Sequence, residues 1–164
     1  MYEHWLSSPG RMGWLKGKQI EGCVFCRIAE GDRRVPSRVL QRGKKFMVIM
    51  NIFPYNAGHL QVLPVKHVLN IEDMSDADVS EMFILVKRCM ILLKKVLSPL
   101  GFNMGVNQGG DVAGASIDHL HIHIVPRYRR DFGFMEVIGK TKVLPIDVDE
   151  TFSRLKKHVD ILKD

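Results

Sequence analysis

Apolar residues recur along this chain at two periods, and the switch between them divides it into elements. Short apolar runs at Val39–Leu40, Phe46–Met50 and Leu60–Val65 are separated by turns containing Gly, Lys and Asn, which predicts an antiparallel meander. From Val79 the spacing changes to three or four. Met82, Phe83, Val86, Cys89, Met90, Leu93, Val96 and Leu97 then share one face of an amphipathic helix of about five turns. Ser75 or Asp76 is placed to cap it, and Pro99 with Gly101 ends it. Phe102, Met104 and Val106 next alternate with Asn103, Gly105 and Asn107, predicting a half-buried strand with small polar residues on its other face. A loop containing Gly109, Gly110 and Gly114 leads into a further strand, and the two can pair as a hairpin with a long connection. Val148, Phe152, Leu155, Val159 and Leu162 return to helical spacing, so residues 147–163 are expected to form a terminal helix. This order predicts an α+β fold with the long helix packed across one face of an antiparallel sheet. Residues 1–20 read as an irregular arm carrying both tryptophans, Trp5 and Trp14, and residues 21–164 as one domain.

The last strand carries the chemistry. In His119-Leu120-His121-Ile122-His123-Ile124-Val125 a period of two puts three imidazoles on one face and Leu120, Ile122 and Ile124 on the other. Imidazole titrates near neutrality and serves as base, nucleophile, phosphate ligand or metal ligand. Three of them about 6–7 Å apart form a site, because histidine has no strand propensity to account for the pattern.

Composition narrows the partners. At 164 residues the chain can bury a sizeable core without disulfide staples, and its 46% of apolar residues includes no run long enough for a membrane span. Glu3, His4 and Arg11 interrupt the first residues, which is unlike a signal peptide, and three cysteines suit a reducing compartment; both lead us to expect a cytoplasmic protein. The net charge of +6 suggests an anionic partner. The basic residues are spread along the chain without a long tract or an aromatic RNA-reading signature, which favours a small phosphorylated molecule over a nucleic-acid polymer.

Two mechanisms compete for the histidines. His119 and His121 could hold a catalytic metal that activates water. Alternatively, one imidazole attacks phosphorus itself and passes the group on. Asn51, His59, Asn107, Gln108, Ser116 and Arg127 offer donors for phosphate and ribose, while carboxylates suited to a hydrolytic metal are few, which favours the nucleophile.

These residues resemble the histidine triad (HIT) family of nucleotide-binding hydrolases and transferases. The run HLHIHIV matches its defining motif, Cys23-Val-Phe-Cys26-Arg-Ile resembles a common opening, and Asn51…Gly58-His59 with Val62-Leu-Pro64 resembles the N…GH…VxP segment. The likeness covers about residues 23–128, and the tail around Phe134–Pro145 resembles the branch containing diadenosine tetraphosphate hydrolases and phosphorylases. It implies a sheet of about five strands, a homodimer, and cleavage of an α-phosphate linkage in a dinucleoside polyphosphate. Nucleoside phosphoramidates, or binding of a nucleotide without turnover, are the alternatives. By the same resemblance His121 becomes nucleotidylated, and His123, His59, Gln108 and Gly114 contact phosphates. Ser116 then lies at the scissile oxygen and Asn51 at the ribose. Ala115 stands where many relatives have Gln, which leaves the second acceptor, water or phosphate, undecided.

Cys23 and Cys26 form half of a tetrahedral thiolate site. Read alone they are compatible with reduced core cysteines or a redox pair. The resemblance implies structural zinc on Cys23, Cys26, His67 and His119; magnesium would arrive, if at all, with substrate. Cys89 lies on the apolar helix face and is expected in the core.

Overall fold

A computed structural model describes residues 21–110, 118–129, 131 and 147–163. The expected arm, residues 1–20, lies outside the described residues, as do Gly114, Ala115 and Ser116. The elements are helix α1 (Val24–Glu30), strands β1 (Arg38–Arg42), β2 (Phe46–Met50) and β3 (Leu60–Pro64), helix α2 (Asp76–Leu97), strands β4 (Gly101–Asn107) and β5 (His121–Arg127), and helix α3 (Val148–Lys156). No helix among the described residues is long and apolar enough to cross a membrane.

The sheet is five-stranded, antiparallel and ordered β1-β2-β3-β5-β4. The expected meander is β1-β2-β3, and the expected long hairpin is β4-β5. Because α2 and β4 intervene in sequence between β3 and β5, the histidine strand enters beside β3, near the middle of the sheet, and β4 takes the edge. Both faces of the centre are covered. On one, Val48, Met50, Leu60, Val62, Ile122 and Ile124 pack with Met82, Val86, Cys89 and Leu93 of α2. On the other, Met47, Ile49 and Leu63 pack with Phe25, Ile28 and Val35. This double burial explains why β2 reads as an unbroken apolar run rather than an alternation.

Local chemistry sets the helix ends. Ser75 caps α2, its hydroxyl accepting from the Asp78 N–H at 3.1 Å, and Asp147 caps α3 by accepting from the Glu150 N–H at 2.8 Å. Helix α1 has too few turns to show a period in sequence. It ends where Gly31 adopts φ +83° and returns its N–H to the carbonyls of Arg27 and Ile28. The guanidinium of Arg42 also donates to the Ile28 and Ala29 carbonyls, tying α1 to the sheet. The terminal helix is shorter than its periodicity implied: α3 stops at Lys156, and a 3-10 turn over Val159–Leu162 completes the packing.

Strand β4 departs from expectation. Met104 and Val106 are 53% and 45% exposed, because α2 lies over β3 and β5 and leaves the edge strand bare. Their alternation correctly marks a strand, but burial on an edge depends on what covers it.

The 51–59 loop carries His59 and is held at several points. The Asn56 side chain donates to the Pro126 carbonyl at 2.9 Å and to Asp131 Oδ1 at 3.2 Å, and the Tyr128 hydroxyl donates to the Ala57 carbonyl at 3.1 Å. Gly58 has φ +78°, and a Cβ there would lie 2.5 Å from Leu97 Cδ1 and 2.9 Å from Leu93 Cδ2. Gly58→Ala therefore combines left-handed strain with overpacking against α2 and is expected to lower stability by about 2–4 kcal/mol. Urea unfolding checks this; a change within about 0.5 kcal/mol would mean that loop and helix part without cost.

Candidate active site and metal centre

Strand pairing lays out one polar face. His121 and His123 alternate with buried Ile122 and Ile124, as the sequence pattern requires. Gln61 of β3 and Gly105 of β4 pair with His123, and Asn107 pairs with His121. Residues paired across strands project to the same side, so all belong to the histidine face. His119 precedes β5, yet its ring joins the same group: Phe25 meets it edge-on at 5.6 Å between centroids and meets His121 at 5.1 Å.

The hydrogen bonds assign a proton to each ring. Two N–H donors, the backbone of Tyr55 at 3.1 Å and the amide of Asn51 at 3.4 Å, converge on His59 Nδ1, which must therefore be the unprotonated nitrogen. Its Nε2–H then donates to His123 Nδ1 at 2.8 Å. His123 Nδ1 also lies 3.5 Å from the Gln61 amide, so in the neutral ring the His123 proton sits on Nε2. His121 Nδ1 donates to the His119 carbonyl at 2.7 Å, which leaves its Nε2 lone pair uncommitted. His119 Nε2 donates to the Pro64 carbonyl at 3.0 Å, turning the Nδ1 lone pair toward the cysteines. The face thus presents one nucleophilic nitrogen, on His121, beside one N–H donor, on His123. Their ring centroids are 4.7 Å apart.

Burial keeps these rings neutral. Desolvation, then the charges of His123 and His121, push His59 down to about 3. Desolvation followed by His121 pushes His123 down to about 4. His121 is lowered by burial and partly restored by its bond to the His119 carbonyl. The consequence for stability has a definite sign. Below the ordinary value of 6.5 the unfolded chain protonates His59, whereas the folded chain does not until about 3. Stability is accordingly full at neutral pH and falls through the window from about 6.5 down to about 3, approaching about 1.4 kcal/mol per pH unit from this group. Urea midpoints measured from pH 7.5 to 5 are expected to drop; a flat profile would contradict neutral buried histidines.

Cys23, Cys26, His67 and His119 converge with all four ligand atoms within 4.8 Å of one another. Cys23 Sγ lies 3.3 Å from His119 Nδ1, and Cys26 Sγ lies 3.3 Å from His67 Nδ1 and 3.7 Å from His119 Nδ1. Zinc–sulfur and zinc–nitrogen bonds of about 2.3 and 2.0–2.1 Å imply a tetrahedral S–N edge of about 3.6 Å, so the donor set fits the ion. The bond from His119 Nε2 to the Pro64 carbonyl is the kind of support that orients a zinc-binding imidazole. In the thiol form burial, then Cys23 and Glu30, push Cys26 up to about 11, and a bound cation would displace that proton. No comparable carboxylate group for magnesium occurs among the described residues.

Several sequence candidates fall into place and others do not. Asn51 and His59 join the cluster. Gln108 accepts from the Ile71 N–H through Oε1 at 3.1 Å, an engagement the sequence did not suggest, leaving its amide hydrogens for an anion. Ser116 and Gly114 lie outside the described residues. Sequence reasoning overlooked Gln61 and Tyr55. The signal for Gln61 was a polar residue two positions after His59 in an otherwise apolar strand.

The chain is similar to several known proteins. An AP-4-A phosphorylase of Mycobacterium tuberculosis is 39% identical over 107 residues, covering 65% of this chain and 55% of that protein, so the chain spans little more than half of that relative's length. An asymmetrical bis(5'-nucleosyl)-tetraphosphatase of Schizosaccharomyces pombe is 31% identical over 104 residues, covering 63% of this chain and 57% of that protein. The crystal structure of a zinc-bound histidine triad family protein from Mycobacterium smegmatis superposes with a TM-score of 0.69 at 28% identity, covering 86% of this chain and 95% of that one. The HIT domain family model matches residues 32–130, and with the histidine strand set in the middle of this antiparallel sheet, the chain belongs to the HIT family.

Proposed function

We propose that this protein cleaves the α-phosphate linkage of dinucleoside polyphosphates such as diadenosine tetraphosphate through a nucleotidyl intermediate on His121. The observation that carries the reading is the 2.7 Å bond from His121 Nδ1 to the His119 carbonyl, which leaves Nε2 as a lone pair for in-line attack. As the N–P bond forms, the bridging P–O bond breaks and the electrons leave with the nucleoside polyphosphate. His123 Nε2–H donates to a nonbridging oxygen, and its own Nδ1 is held by the His59 N–H. Charge on the equatorial oxygens is thus met by donors positioned in advance, which is where phosphoryl-type transfer gains most of its rate. Ser116, Gly114, the Gln108 amide and Asn51 are assigned to the scissile oxygen, the phosphates and the ribose by resemblance. Water or orthophosphate then attacks phosphorus, and the P–N bond breaks to restore the imidazole.

Cys23, Cys26, His67 and His119 would hold zinc in a closed four-ligand site that supplies structure and leaves no open position for a reacting water. The bare β4 edge with exposed Met104 and Val106, together with exposed Phe83, Ile84 and Ile91 on α2, supports a homodimer that covers them.

The decisive experiment is chromatography of products from diadenosine tetraphosphate with and without orthophosphate. AMP plus ATP in both conditions identifies a hydrolase. ADP plus ATP formed only with phosphate identifies a phosphorylase. Turnover confined to nucleoside phosphoramidates overturns the polyphosphate reading.

A further inference from the structure

Tyr55 has no part in the chemistry above, yet its ring rests on the groups that perform it. Its centroid lies 4.8 Å from that of His59, at 31° between planes, and 6.0 Å from that of His123, at 29°. Tyr55, His59, His123 and His121 form a run of neighbouring rings, with successive centroid spacings of 4.8, 5.0 and 4.7 Å. His59 and His121 are buried and His123 is half-buried, whereas Tyr55 is 53% exposed. One side of an aromatic ring is therefore set against the phosphate-binding imidazoles while much of its surface is open.

The backbone that carries the ring is also anchored. The Tyr55 N–H donates to His59 Nδ1 at 3.1 Å, and the neighbouring Asn56 side chain bonds Pro126 and Asp131 across the loop. A preorganised aromatic surface can take up a planar group with little further ordering cost. In-line displacement sends the leaving group out on the side opposite His121 Nε2, and Tyr55 stands at the other end of the ring run from His121. A phosphate gains little from an aromatic face, whereas a purine or pyrimidine stacks on it.

We propose that Tyr55 is the stacking platform for the base of the departing nucleoside, a specificity-determining residue that favours substrates with a second base over nucleoside polyphosphates lacking one. The subsite rests on the polyphosphate reading of the active site and deepens it. Stacking is tolerant of base identity, so the second nucleoside is expected to vary with little loss.

The test compares diadenosine tetraphosphate with adenosine 5′-tetraphosphate, which carries the same phosphate chain without the second nucleoside. The ratio of their kcat/KM values is expected to fall about tenfold in Tyr55→Ala and to be kept in Tyr55→Phe, which retains the ring. A ratio unchanged in Tyr55→Ala overturns the subsite, whether both activities persist or both fall equally. The second of those results would assign the ring to holding His59 and His123. A wild-type protein that acts on phosphoramidates alone overturns the polyphosphate reading and the subsite together, so the two failures are distinguishable.

Discussion

His121→Ala is expected to lower kcat/KM on the best substrate by on the order of 10⁴-fold or more, because it removes the group proposed to form the covalent bond and leaves the surrounding donors without a reaction to assist. Intact-mass spectrometry of a rapidly quenched reaction provides the second readout: a nucleotidyl adduct in the wild type, absent in His121→Ala. The ring is nearly fully buried, at 2% exposure, and its Nδ1 bonds a backbone carbonyl, so a thermal melt of the variant separates lost chemistry from lost fold. Near wild-type turnover in a folded His121→Ala protein would rule out the mechanism. An active enzyme that never accumulates or traps an adduct would favour direct attack by water.

The largest effect on stability is expected at the cysteine–histidine centre. Cys26→Ser, or removal of metal by a chelator, is expected to cost about 4 kcal/mol at zinc concentrations about a thousandfold above Kd, a loss of about 8–16 °C in Tm for a chain of this size. The four ligands come from widely separated parts of the chain: the start of α1, the loop after β3 and the approach to β5. A cation there closes loops between α1 and the sheet. It would also hold His119, whose carbonyl accepts from His121 Nδ1, so activity is expected to decline with the metal. Elemental analysis of purified protein and calorimetric melts with and without chelator check both parts. Protein containing no zinc, with Cys26→Ser as stable as wild type, would reduce the cluster to a pair of half-buried thiols.

Most properties that depend on neighbours in sequence were legible beforehand. The period of α2, the Ser75 cap, the alternation of β5 and the histidine face follow from side-chain direction along a local backbone. The carbonyl bond that leaves one nitrogen of His121 free spans two residues and is itself local. Helix α1 was not legible, since seven residues are too few to display a period and its end relies on Gly31 and on Arg42 from another strand.

What the sequence by itself determined was therefore the strands and the long helix, the face on which the imidazoles stand and the family to which that pattern points. Tertiary structure alone decided which residues met. The proton on His123 is directed by His59, 64 residues away, and Cys26 reaches His67 and His119 only because α1 lies over the end of β3 and β5. Met104 and Val106 are exposed because β4 is the edge of the sheet. These outcomes depend on strand order and on which element covers which face, and no local spacing encodes either, because long-range pairing is settled by burial summed over the whole core.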